Sequence, residues 1–90
     1  MTSKNTASTS WIDGAIRIRV YSSDGTNVTE RCWDGSGWYT GAFKQAGEVT
    51  SVTSWFASGP FIRVYVSKGG VTTEYCWDKN GPWYKGAYTG

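Results

Sequence analysis

The sequence predicts an all-β fold built from two copies of a four-stranded unit. Six Trp, six Tyr and three Phe in 90 residues, together with many Val and Thr, form a composition that is typical of β-sheets. Twelve Gly interrupt the chain every few residues, and no apolar pattern with helical periodicity lies between them. The chain is also internally duplicated, and its period near 45 residues indicates that each copy is one blade of a β-propeller.

The duplication is visible in strings that return at a constant distance. Ile18–Tyr21 returns as Ile62–Tyr65, and Thr29–Asp34 returns with one substitution as Thr73–Asp78, both at an offset of 44. Later matches lie at an offset of 45, so the second copy contains one extra residue, which we place at Pro82. We therefore expect one domain over residues 1–90, with blades at about 7–46 and 51–90.

Each copy is expected to form four short strands. In the first copy, Gly-containing turns such as Asp24-Gly25 divide the chain, and such turns favour hairpins. The second predicted strand alternates apolar and polar side chains, which indicates one face in contact with solvent. The expected strands lie near Ala7–Trp11, Ala15–Tyr21, Val28–Trp33 and Trp38–Phe43.

Two blades do not close a propeller, because propellers have about four to eight blades. An open pair would leave strand edges and apolar faces exposed. We therefore expect two, three or four identical chains to complete one ring, and the blade count alone does not choose among these numbers.

Composition and charge exclude several functional classes. The net charge of +2 comes from scattered basic residues, which does not favour nucleic-acid binding. The chain has no His, which makes triad hydrolysis and zinc catalysis poor hypotheses. Glu30 with Asp34, or Glu74 with Asp78, could form a glycosidase pair, but Asp34 begins a Gly-rich turn and turn chemistry explains it. The same turn has a faint similarity to a calcium loop but lacks the full ligand pattern, so a hairpin turn explains it better. We expect a protein that is not an enzyme and uses no metal or cofactor.

Three further expectations concern membranes, export and redox state. No stretch approaches the about 20 apolar residues of a membrane span, so no membrane insertion is expected. Residues 1–10 are polar and do not resemble a standard signal peptide. Cys32 and Cys76 occupy matching positions in separate copies, so we expect two free, buried thiols.

The candidate binding residues are those that recur once per copy. An Arg with a carboxylate can donate to and accept from neighbouring hydroxyls, and indole rings cover the C–H face of a sugar. The alternatives are a surface ion pair and core tryptophans; for Trp11 and Trp55 we keep the core interpretation. The recurring sets are Arg19, Glu30, Trp33 and Trp38, and Arg63, Glu74, Trp77 and Trp83.

The positions of these residues along a strand predict sites between blades. Glu30 and Trp33 are three residues apart, so on a regular strand they point to opposite faces. One blade can therefore give its Arg and Glu to one site and its tryptophans to the next.

These residues resemble a known family. Ile18–Tyr21, Thr29–Gly35, Gly37–Phe43 and Ser51–Trp55 are similar to the two-repeat bacterial fucose-binding lectins of the Ralstonia and Burkholderia type, which belong with the larger Aleuria-type fungal lectins. The resemblance covers about residues 7–89. It implies a homotrimer that closes into a six-bladed β-propeller and a multivalent lectin that binds L-fucose and fucosylated glycans.

The resemblance also implies two sugar sites per chain. The intrachain site would use Arg19, Glu30, Ala42, Trp77 and Trp83. The interchain site would use Arg63, Glu74 and Ala87 with Trp33 and Trp38 of a neighbouring copy, and Ile18 and Ile62 would form pockets for the fucose methyl group. Pro82 lengthens the loop that carries Trp83, so the intrachain site is expected to differ from the interchain site. The alternative function is a propeller module that binds a protein or another sugar.

Overall fold

The computed structural model describes residues 5–90, which form eight antiparallel strands in two four-stranded sheets. Strand order in each sheet follows the chain. The predicted all-β architecture of two four-stranded units is confirmed. The first sheet contains β1 (Asn5–Asp13), β2 (Ala15–Ser23), β3 (Asn27–Trp33) and β4 (Trp38–Ala46), and the second contains β5 (Glu48–Phe56), β6 (Pro60–Lys68), β7 (Val71–Asp78) and β8 (Tyr84–Lys85).

Turn chemistry joins the strands as the sequence indicates. The Asp24 carboxylate accepts hydrogen bonds of 2.8 Å from the backbone N–H groups of Thr26 and Asn27, which closes the β2–β3 hairpin. A single residue, Gly47, connects the two sheets with a φ of 124°. A Cβ at this position would lie 2.7 Å from the carbonyl oxygen of Ser67, so glycine is required there for the close approach of the sheets.

The core lies between the two sheets and draws residues from both. Tyr21, Val28 and Val64 are completely buried, and each such side chain contributes about 1.5–3 kcal/mol to folding. Thr9 and Ser54 join β1 to β5 through a hydroxyl pair at 2.6 Å. The other buried members of this core are Trp11, Phe43, Val49, Ile62 and Val66.

Equivalent residues of the two repeats differ strongly in burial. Phe43 is 2% exposed, whereas its counterpart Tyr88 is 50% exposed. Trp11 is 7% exposed and belongs to the core as expected, but Trp55 is 45% exposed, so the expectation that Trp55 is a core residue is wrong for the single chain. The second sheet covers the inner face of the first, while no element within residues 5–90 covers the corresponding face of the second.

The two thiols are free and buried, as predicted. Burial raises the pKa of the Cys32 thiol to about 11 and also raises that of Cys76, so both are protonated at neutral pH. Within residues 5–90, no helix is long and apolar enough to span a membrane.

Candidate functional site

A pocket of about 230 Å³ opens between the two sheets. All five residues predicted for the intrachain site line it: Arg19, Glu30 and Ala42 from the first sheet, and Trp77 and Trp83 from the second. Ile62, predicted to contact a methyl group, lines it as well. The remaining lining residues are Trp11, Cys32, Tyr39, Gly41, Pro60 and Lys79.

Strand register explains why these side chains meet. Arg19 pairs with Cys32 and Tyr21 pairs with Glu30, so Arg19 and Glu30 lie on one face of the first sheet. In the second sheet, Trp77 pairs with Ile62, on the face opposite to Arg63. The two inner faces are those that enclose the pocket.

Arg19 is held by an acidic residue that the sequence did not single out for this purpose. Its Nη1 donates to Asp34 Oδ1 at 2.9 Å and to the Ile18 carbonyl oxygen at 3.0 Å. The guanidinium also lies 5.0 Å from the centre of the Trp11 ring. The interpretation of Arg19 and Glu30 as a surface ion pair is therefore wrong. Within residues 5–90, Nε and Nη2 of Arg19 donate to no acceptor.

Asp34 fixes the charge state around Arg19. Its second carboxylate oxygen accepts a short hydrogen bond from the Tyr39 hydroxyl. Burial alone would raise the pKa of Asp34, but hydrogen bonds from Tyr39 and Arg19 outweigh it and lower this pKa. The same bond raises the pKa of Tyr39 to about 12. At neutral pH, Asp34 is ionised and Tyr39 is a donor.

Glu30 is a buried acceptor, with only 4% of its surface exposed. Its Oε2 accepts from the Tyr21 hydroxyl at 2.6 Å, and its Oε1 accepts a longer bond of 3.4 Å from the Phe43 N–H. Burial, followed by the Glu30 charge, raises the pKa of Tyr21, which keeps that hydroxyl a donor. Oε1 therefore keeps acceptor capacity toward the pocket.

The two tryptophans of the second sheet form the apolar wall. Trp77 and Trp83 have ring centres 5.6 Å apart at an angle of 52°. Trp83 packs edge-on against Phe43 at 4.7 Å, and the Trp77 Nε1 donates to the Lys79 carbonyl oxygen at 3.1 Å. Packing and hydrogen bonding thus hold both indoles in place before any ligand binds.

The residues predicted for the interchain site are not brought together in one chain. On the outer face of the second sheet, Arg63 Nη1 donates to Asp78 at 2.7 Å and stacks on Trp55 at 5.0 Å, while Tyr65 donates to Glu74 at 2.7 Å. Ala87 follows in the same repeat. The contacts of Arg63 and Glu74 thus repeat the geometry around Arg19 and Glu30.

The other half lies on the outer face of the first sheet. Trp33 and Trp38 have ring centres 5.7 Å apart at an angle of 51°, which repeats the geometry of the Trp77–Trp83 pair. Ile18 pairs with Trp33 and so belongs to this half. Each outer face of the chain therefore repeats the geometry of one side of the pocket between the sheets.

Sequence reasoning missed the residues that support the arginines. Asp34 was explained by turn chemistry alone, and Tyr39 was not considered. Both recur in the second repeat as Asp78 and Tyr84, with the same hydrogen bonds. Their recurrence was the signal that could have identified them.

The pocket offers binding chemistry. It combines an anchored cation, a buried carboxylate and two indole faces, which suits a small polyol with one apolar side. Among the described residues, no group of three or more His, Cys, Asp and Glu lies together as a metal site would require.

A family model described as the fungal fucose-specific lectin matches residues 2–89. The chain belongs to this family. Similarity to the Aleuria-type lectins is thereby confirmed, whereas the bacterial two-repeat type stays a prediction. Among curated proteins, no sequence matches the chain significantly.

Solved structures of the Aleuria aurantia lectin match this chain. A mutant bound to α-methyl-L-fucoside and the same mutant bound to Fucα1-6GlcNAc are each 31% identical, with a TM-score of 0.67, and cover 90% of this chain and 27% of that lectin. A structure described as a six-bladed β-propeller with a novel fucose recognition mode is 29% identical, with a TM-score of 0.71, covering 99% and 30%. The chain thus spans less than a third of the length of these lectins.

Proposed function

We propose that the protein is a non-catalytic lectin that binds L-fucose and fucosylated glycans in the pocket between its two sheets. The observation that supports this most is the convergence on one pocket of five residues whose types recur in both repeats, in a chain of the fucose-specific lectin family. Arg19 donates to ring or hydroxyl oxygens, Glu30 accepts from hydroxyls, and Ala42 lies beside them. Trp77 and Trp83 cover the apolar side of the sugar, and Ile62 contacts its methyl group.

We also propose that three chains close into a six-bladed ring. Unequal burial of equivalent residues supports this, because the outer face with Tyr88 and Trp55 is the counterpart of the buried face with Phe43 and Trp11. A second chain that presents Trp38 to this outer face would cover Tyr88 as Trp83 covers Phe43. Two blades are a third of six, and six blades is the number described for the Aleuria aurantia lectin.

Such a ring would hold two kinds of site. Arg63, Glu74 and Ala87 would face Trp33 and Trp38 of the neighbouring chain, with Ile18 contacting the methyl group. Each chain would then account for two sites, and the assembly would be multivalent. Several weak sites on one particle bind a glycan-bearing surface far more tightly than one site does.

Isothermal titration with L-fucose tests both proposals. Wild-type protein is expected to bind two fucose molecules per chain, and Arg19→Ala and Arg63→Ala one each. Losing a hydrogen bond from a charged group costs about 1.5–3 kcal/mol, which weakens a site about ten- to a hundredfold. Lys68→Ala is the control, since it removes an exposed cation from a hairpin outside the 230 Å³ pocket.

Native mass spectrometry supplies the second measurement. The expected species has about three times the chain mass of 9.9 kDa. A stable monomer would contradict ring closure without contradicting the intrachain site. If no fucoside binds while a protein partner does, the lectin proposal itself is wrong.

A further inference from the structure

Arg17 connects two segments next to the residues that hold Arg19. Its Nε and Nη2 donate to the Asp13 carbonyl oxygen, at the end of β1, at 3.3 and 2.9 Å. Its Nη1 donates to the Asp34 carbonyl oxygen, in the turn after β3, at 3.2 Å and lies 3.8 Å from Asp34 Oδ1. The pocket lining within residues 5–90 does not include Arg17, so any effect of this side chain on a ligand passes through its neighbours.

The second repeat closes the equivalent turn without such a side chain. Phe61 occupies the position of Arg17, and its ring stacks on Trp55 at 5.3 Å. The Asp78 carbonyl oxygen accepts instead from two backbone N–H groups of its own turn, at 2.7 and 3.2 Å. Among the turn hydrogen bonds of residues 5–90, none runs from a backbone N–H to the equivalent carbonyl of Asp34. The first repeat therefore uses a guanidinium where the second uses its main chain.

The carboxylate of Asp34 links Arg17 to the sugar pocket. Asp34 Oδ1 accepts from Arg19 Nη1 at 2.9 Å, so the two arginines share one carboxylate. The side chains of Arg17 and Asp34 are 29% and 28% exposed, so this contact is partly shielded from water. If Arg17 did not hold the turn, the carboxylate could move, and the Nε and Nη2 groups of Arg19 would lose their fixed direction in the pocket.

We infer that Arg17 is a positioning residue of the intrachain sugar site, which holds Asp34 so that Arg19 meets the ligand in a fixed orientation. The inference rests on the proposed function of the same pocket. Arg63 does not depend on such a residue, because the turn of Asp78 is closed by its own backbone. Loss of Arg17 is expected to weaken fucose binding at the intrachain site by about three- to tenfold, since residues in one hydrogen-bond network are energetically coupled.

Fucose titrations of Arg17→Gln separate the two classes of site. In Arg63→Ala protein, where only the intrachain site binds, Arg17→Gln is expected to lower fucose affinity about three- to tenfold. In Arg19→Ala protein, where only the interchain site binds, the same substitution is expected to change the affinity by less than about twofold. Equal weakening of both classes, or no weakening of the intrachain site, overturns the inference. Failure of Arg63→Ala protein to bind fucose while Arg17 is intact overturns the proposed function, and this inference with it.

Two further measurements follow the route through Asp34. In an Arg63→Ala/Asp34→Ala background, Arg17→Gln should lower fucose affinity by less than about twofold more, because the carboxylate that transmits its effect is gone. A loss as large as in the presence of Asp34 overturns the inference. In sugar-free Arg63→Ala protein, NMR of the arginine side chains should show restricted rotation of the Arg19 guanidinium, and Arg17→Gln should release it. Unchanged rotation overturns the inference as well. Both measurements decide on Arg17 whether or not the ring forms, because neither needs an interchain site.

Discussion

Gly41→Ala is the most informative single substitution in the pocket. A Cβ at Gly41 would lie 1.9 Å from Glu30 Oε1 and 2.8 Å from Cys32 Sγ, both far inside contact distance. Gly41 is not among the residues with positive φ, so alanine meets no backbone strain there. The collision with Glu30 is the closest one that this substitution creates, and the flexible carboxylate end must move.

The cost of that movement follows from the burial of Glu30. With 4% of its surface exposed, the carboxylate cannot replace the 2.6 Å bond from Tyr21 with water. A hydrogen bond to a charged group is worth about 1.5–3 kcal/mol, and 1 kcal/mol shifts the Tm of a domain this size by about 4–8 °C. We expect Gly41→Ala to lower the Tm by about 6 °C or more and to remove the intrachain fucose site.

Calorimetry at one protein concentration and fucose titration measure both effects. Gly86→Ala is the matched variant, because its Cβ would lie 2.0 Å from Glu74 Oε1 and should remove the other class of site. In a Glu30→Asp background the shorter side chain withdraws from position 41, so Gly41→Ala should cost less there. The reasoning is refuted if Gly41→Ala binds two fucose molecules per chain with an unchanged Tm, or costs the same in both backgrounds.

Three further predictions concern pH, thiols and the tryptophan pairs. The pKa of Asp34 is lowered from 3.8, so its ion pair with Arg19 stabilises the fold above that pH and is lost as the pH falls through the lower folded-state pKa. The Tm should therefore stay constant from neutral pH down to about pH 5 and decrease in stronger acid. This decrease in Tm should be smaller in the double variant Asp34→Asn/Asp78→Asn, because the pKa of Asp78 is lowered as well. An identical decrease would contradict this. Maleimide should label neither buried thiol of the native protein at pH 7, and should label both thiols in guanidinium. Rapid labelling of the native protein would contradict the burial of the thiols. Trp83→Ala should lower the free energy of unfolding by about 3 kcal/mol, measured by denaturant titration. Trp38→Ala should shift the native mass toward the monomer, and a Trp38→Ala protein that stays trimeric with all its sites would contradict the proposed role of Trp38 between chains.

Residues that repeat could be placed from sequence because their environment repeats. The period and the alternation of β3 put Glu30 and Trp33 on opposite faces, and the structure brings Arg19, Glu30 and Trp77 to one pocket. These relations depend only on strand geometry and on the offset between copies. The all-β class and the four strands of the first sheet follow from the same information.

What sequence could not supply is the contact between side chains distant along the chain. Arg19 and Asp34 are fifteen residues apart, and their ion pair depends on how the turn after β3 directs the carboxylate back over the sheet. Burial was equally inaccessible: Trp11 and Trp55 are equivalent in sequence, yet only Trp11 is covered. Exposure depends on the neighbouring sheet, which a repeat pattern does not specify.

In the proposed ring, one class of site is divided between the outer faces of two chains, so sugar binding at that site would depend on the protein concentration. The intrachain pocket is complete in every chain, whereas the interchain site exists only where chains meet. A ligand that binds only the assembled state stabilises it by mass action. Fucosylated glycans would therefore hold the chains together when protein is scarce, and the sites within each chain would be the last to lose their ligand.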